Sequence, residues 1–102
     1  MRRPERLAEA LKEEISEVVG FELVDPRLET VTVTEVEVSD DLRDAKVFVL
    51  IDGSEDEISA ALKALRHAAP FVRQQVSMNL SMRFAPHLHF ARDTAEENAA
   101  RV

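Results

Sequence analysis

The chain has 102 residues, 45% of them hydrophobic and 32% charged, with a formal net charge of −7. That length and balance fit one domain with a modest core, and the absence of cysteine excludes disulfides and thiolate chemistry. No apolar run is long enough to cross a bilayer, and no signal-type apolar stretch follows the basic start Met1-Arg2-Arg3-Pro4, so the expected location is the cytoplasm.

Leu7, Leu11, Ile15 and Val18-Val19 recur at helical spacing among charged residues, predicting an amphipathic helix from about Pro4 to Gly20. Asp25-Pro26-Arg27 reads as a turn. Thr30 to Val38 is a strand rich in β-branched residues. Val31 and Val33 are out of phase with Val36 and Val38, and a bulge near Thr34-Glu35 would bring all four valines to one side. Ser39 to Asp44 is a polar hairpin loop, and Ala45 to Ile51 is a second strand.

Ser54 or Asp56 can cap the next helix, and the acids of its first turn suit the helix dipole. Apolar residues Ile58, Ala61, Leu62, Leu65 and Ala69 mark its buried stripe. Ala68-Ala69-Pro70 then predicts a bend between this helix and another, because proline lacks an amide hydrogen and its ring clashes with the preceding turn. Phe71-Val72, Val76 and Leu80 continue the pattern to about Asn79. Leu88 and Phe90 alternate with His87, His89 and Ala91, giving a third strand. The order is α-β-β-α-α-β: an α+β domain over residues 1–93, a three-stranded sheet with helices on one face, and a short tail over 94–102.

Charge is unevenly spread along this order. Residues 1–57 carry 17 acids against 7 bases, whereas Ile58 to Arg92 contains 5 bases and no acid at all. Lys63, Arg66, Arg73, Arg83 and Arg92 thus stand in an acid-free window. Phosphate binding needs such local positive charge, and a Debye length of about 8 Å at physiological salt lets a basic face act despite a distant acidic one. Arg66 and Arg73 flank the expected bend. There is no Trp or Tyr, and Phe71, Phe84 and Phe90 are expected in the core, so backbone and shape recognition of structured RNA is favoured over base reading.

Enzyme chemistry finds no support. The two glycines, Gly20 and Gly53, cannot form a phosphate-cradling loop, and no serine stands in a nucleophile-elbow context. His67, His87 and His89 are read as surface residues beside a cationic patch rather than metal ligands. Asp40-Asp41 and Glu55-Asp56-Glu57 are read as a solvated loop and a helix first turn rather than a cation site. No cofactor or metal is expected.

Several stretches carry a family resemblance: Arg3-Pro4-Glu5-Arg6, Asp25-Pro26-Arg27-Leu28, the run from Val36 to Val49, Ala64 to Arg73, and Pro86-His87-Leu88-His89-Phe90. Together, and in this order, they resemble ribosome-binding factor A. The resemblance implies a type II KH-like fold and a non-catalytic assembly factor. Such a factor binds the free small (30S) ribosomal subunit and assists late maturation of 16S rRNA, including its 5′ end. It also implies an Ala-x-Gly bend between two helices, where this chain has Ala68, Ala69 and Pro70. On this basis Arg66, Arg73 and Arg83 are the expected phosphate contacts, with Arg3, Arg6 and Lys46 second in rank. The expected partners are the 30S subunit and its 16S rRNA, met by a monomer without membrane contact. The acid-rich first half suggests an alternative, a protein-interaction module meeting a basic ribosomal protein or an assembly GTPase.

Overall fold

The computed structural model describes residues 3–94. Helix α1 runs Arg3–Glu17 and ends in a π-turn over Val18–Glu22; a 3-10 turn at Pro26–Leu28 leads into β1, Val31–Val38. Strand β2 is Asp44–Ile51, helix α2 is Glu55–Asn79 and strand β3 is His87–Arg92. The sheet order is β1-β2-β3, with β1 antiparallel to β2 and β3 parallel to it. Helix α1 packs over β1 and α2 over β3.

Burial alternates strictly along β2: Ala45, Val47, Val49 and Ile51 are buried while Asp44, Lys46 and Leu50 are exposed. One face of the sheet therefore meets both helices and the other is open, as period-2 side-chain alternation requires. The register of β1 on β2 slips between Val33 and Glu35, leaving Thr34 as the extra residue. The slip puts Val31, Val33, Val36 and Val38 all against the core, as the phase of the valines predicts.

Helix α2 differs from expectation. The expected break at Ala68-Ala69-Pro70 does not occur: one 25-residue helix carries Pro70 in its interior. The α+β class and the one-sided packing stand, but the two expected helices are one element. Proline costs a helix interior about 3 kcal/mol, while burying one aliphatic side chain contributes about 1.5–3 kcal/mol. Leu65 on one side of Pro70, and Val72 and Val76 on the other, are all fully buried. Three such anchors outweigh one lost hydrogen bond, so the helix continues.

Both ends of α2 are fixed locally. At the start Ser54 and Glu57 form a reciprocal capping box. The Glu57 amide donates to Ser54 Oγ at 3.2 Å, and the Ser54 amide donates to Glu57 Oε1 at 3.1 Å. At the end the Met82 amide reaches the Ser77 carbonyl at 2.8 Å and the Ser81 amide reaches the Met78 carbonyl at 3.2 Å. That is the paired closure usually built on a left-handed glycine. Here Ser81 holds the left-handed position, at φ 52°. From residue 95 on, the expected tail lies outside the described residues.

Candidate nucleic-acid interface

The closure at Ser81 turns the chain sharply and sends residues 82–86 back along α2 toward β3. Ser77 strengthens the turn by donating its hydroxyl to the Met82 carbonyl at 2.7 Å. Between the C-terminal half of α2, this return segment and β3 lies a groove of about 680 Å³. Arg66, Arg73 and Arg83 all line it, with Pro70, Phe84 and His87. No Asp or Glu is among its lining residues.

Arg66 and Arg73 are seven residues apart, two helical turns and about 10.5 Å along the axis, and so share one flank. Each uses its Nε to fasten α2 to the opposite wall. Arg73 donates to the Ala85 carbonyl at 2.9 Å and Arg66 to the Phe90 carbonyl at 3.3 Å. Neither carbonyl carries a full charge, so both guanidinium groups keep theirs, with the Nη groups left for another acceptor. Neither arginine is ion-paired among the described residues. Arg83 is exposed and has no ion pair among the described residues, its guanidinium 5.9 Å from the centre of the Phe84 ring.

The second-rank cations are placed elsewhere. Lys46 stands on the open face of β2, in register with His89 and 5.9 Å from the Phe48 ring. It neighbours the groove through His89, which lines both the groove and a hollow beside Lys46. Arg3 and Arg6 are exposed on α1, over the opposite edge of the sheet from β3. The fold thus gathers the three leading arginines and does not gather the other three with them.

The aromatic residues also depart from expectation. Phe90 is buried at 3% exposure, but Phe84 is 78% and Phe71 42% exposed. Phe84 belongs to the irregular segment after α2, where no period fixes which way a side chain faces. The signal in the sequence was only its neighbour: buried Ala85 and Pro86 anchor the segment and leave Phe84 outside.

Carboxylates elsewhere are held by local hydrogen bonds. The Arg27 guanidinium and amide lower the Asp25 carboxyl below its ordinary range. The Ser39 hydroxyl and the Arg43 amide do the same for Asp41, and the Ser54 amide for Glu57. His89 meets Asp44 at 2.8 Å. Among the described residues no three His, Asp or Glu side chains come together as a metal-ligand set, and no helix is long and apolar enough to cross a membrane.

The fold is that of a small α+β domain of the KH-like type, with a cationic groove along one edge of its sheet. A sequence model of ribosome-binding factor A matches residues 3–102, and the chain belongs to that family. A curated ribosome-binding factor A from Thermomicrobium roseum is 51% identical over 100 residues, covering 98% of this chain and 78% of that relative. The crystal structure of ribosome-binding factor A from Thermus thermophilus superposes with a TM-score of 0.78 at 30% identity, covering 89% of this chain and 97% of the other. A Thermus thermophilus homology model, as fitted into a cryo-electron-microscopy map of a 30S complex with that factor, gives 0.66 at 33% identity over 90% and 92% of the two chains.

Proposed function

We propose that this chain binds the small ribosomal subunit through 16S rRNA phosphates held in the α2–β3 groove, and assists late maturation of that RNA, including its 5′ end. It does so in the cytoplasm as a monomer, by binding alone and without catalysis. The observation that carries this reading is the grouping of Arg66, Arg73 and Arg83 around one groove with no carboxylate in its lining. Family membership supports the ribosome as target, as does the relative described in complex with the 30S subunit.

Co-sedimentation with purified small subunits tests it. The protein migrates with subunits at low salt and is released as salt rises, because displaced counterions supply much of the binding free energy. Absence of co-migration at low salt would end the proposal. A second reading has its own observation: Glu5, Glu9, Glu13 and Glu17 are all exposed along α1, a surface suited to a basic ribosomal protein or an assembly GTPase. Under that reading reversal of Glu13 and Glu17 abolishes binding and reversal of Arg66 does not.

A further inference from the structure

The two most exposed large apolar side chains among the described residues stand three positions apart, at the end of α1. Val24 is 97% exposed and Phe21 83%. A single exposed apolar residue is ordinary on a protein surface, so the surroundings decide what this pair means. Residues 13–26 hold five acids and no base, and the bases of α1, Arg3, Arg6 and Lys12, all precede that stretch. Two of the acids are engaged: Glu14 accepts from Asn79 Nδ2 at 2.6 Å, and Asp25 is paired with Arg27. Glu13, Glu17 and Glu22 are exposed, and their carboxylates have neither hydrogen bond nor ion pair among the described residues.

The π-turn sets the pair outside. The Leu23 amide reaches back five residues, to the Val18 carbonyl at 3.0 Å, one residue further than in an α-helix. The wider turn keeps Val18 and Val19 buried and carries Gly20, Phe21 and Glu22 off the core face. Such turns appended to α-helices are frequent at functional sites. Glu9, Glu13 and Glu17 recur at intervals of four and form one row along α1, and the row leads to this turn. None of residues 13–24 lines the α2–β3 groove. Since α1 covers β1 while α2 covers β3, an occupied groove leaves this end of α1 open.

The chemistry selects the partner. Three unneutralised carboxylates repel phosphate-bearing surfaces, RNA and anionic lipid alike, and attract a cationic one. An exposed aromatic beside an exposed valine offers an apolar side chain something to bury against. We propose that the C-terminal half of α1, with its π-turn, docks a basic segment of a protein that is not part of the small subunit. Lysine or arginine side chains of the segment meet Glu13, Glu17 and Glu22, and one of its apolar side chains packs on Phe21 and Val24. The proposal rests on the protein-interaction reading of α1 above, but makes α1 a second surface, filled at the same time as the groove.

Amide spectra of the isotope-labelled full chain test this, titrated with two peptides of equal charge. One alternates lysine with leucine, and the other has serine in place of each leucine. The leucine peptide binds the tighter, and its shifts gather at residues 13–24. Phe21→Ser with Val24→Ser, both at exposed positions that the core does not need, weakens the leucine peptide about tenfold and leaves the serine peptide unchanged. Glu13→Gln with Glu17→Gln weakens both peptides several-fold. Equal binding of the two peptides overturns the proposal. So do shifts spread evenly over Asp40-Asp41 and Glu55-Asp56-Glu57, or equal loss of both peptides on changing Phe21 and Val24. Co-sedimentation separates this surface from the groove: the Phe21→Ser, Val24→Ser protein migrates with small subunits as wild type does. Its release from them would assign the pair to the subunit interface and overturn the proposal. If the wild-type protein itself fails to migrate, the groove reading falls, while localised binding of the leucine peptide still upholds this one.

Discussion

The two edges of the sheet are built from the same parts and carry opposite charge. At the β1 edge, α1 lays Glu5, Glu9 and Glu13 along its outer surface. At the β3 edge, α2 and β3 enclose a groove with three arginines and no carboxylate. The apolar core beneath is shared, since Leu11 and Ile15 of α1 belong to the same cluster as Leu65 and Val72 of α2. What separates the edges lies above the core. Charge polarity along the chain became polarity in space because each helix packs over a different outer strand.

The edges also differ in how far they depart from local rules. Pro70 sits inside a helix, and Ser81 occupies a left-handed position. Pro70 lines the groove, and Ser81 starts the return segment whose Arg83 and Phe84 line it. Among the described residues the only other non-glycine at positive φ is Leu42, in the β1–β2 loop, at 63°. Functional sites are where such departures collect, and the charge and the strain here point to the same edge.

Charge reversal breaks the comparison most directly. Arg66→Glu with Arg73→Glu lowers affinity for small subunits roughly a hundredfold, whereas Glu9→Lys with Glu13→Lys changes it by no more than about twofold; salt-titrated sedimentation distinguishes the two. The opposite ranking would move the interface to α1. Next comes Pro70→Ala, which restores an amide to the Arg66 carbonyl. The helix gains up to about 3 kcal/mol, the freer unfolded chain already included in that difference, and denaturant unfolding reads it as added stability.

Ser81→Gly relieves the left-handed position and adds about 0.5–1 kcal/mol, read in the same experiment. A loss at either site would mean that the groove edge is not the strained one. The smallest effect concerns the cap of α2. The folded Glu57 carboxyl is lowered by the Ser54 amide, so its contribution is complete above the unfolded value of about 4.3 and fades as pH falls through the lower folded value. Thermal melts of wild type and Glu57→Gln differ near neutrality and converge in acid.

The four valines of β1 show how much the sequence specifies when a period is present. Their phase slip required one extra residue, and Thr34 is that residue. The three strands and the cap of α2, narrowed to Ser54 or Asp56, were likewise legible, because each depends on residues within a few positions of one another; the acid-free window needed only a count along the chain. Type II KH-like order was legible through resemblance, apart from the break at Pro70.

Pro70 and Phe84 show where local reading ends. Whether proline breaks a helix depends on what is buried on its two sides, and Leu65, Val72 and Val76 are fully buried only because the sheet lies beneath them. Whether Phe84 faces in or out depends on which way the return segment runs over α2, which no local pattern specifies. The same holds for the cations: the sequence set which residues carry charge, and packing alone brought Arg66, Arg73 and Arg83 together while leaving Arg3 and Arg6 at the other edge. Hydrogen-bond geometry acts over a few residues and can be read in order; burial is settled by residues far apart in the chain, and has to be seen folded.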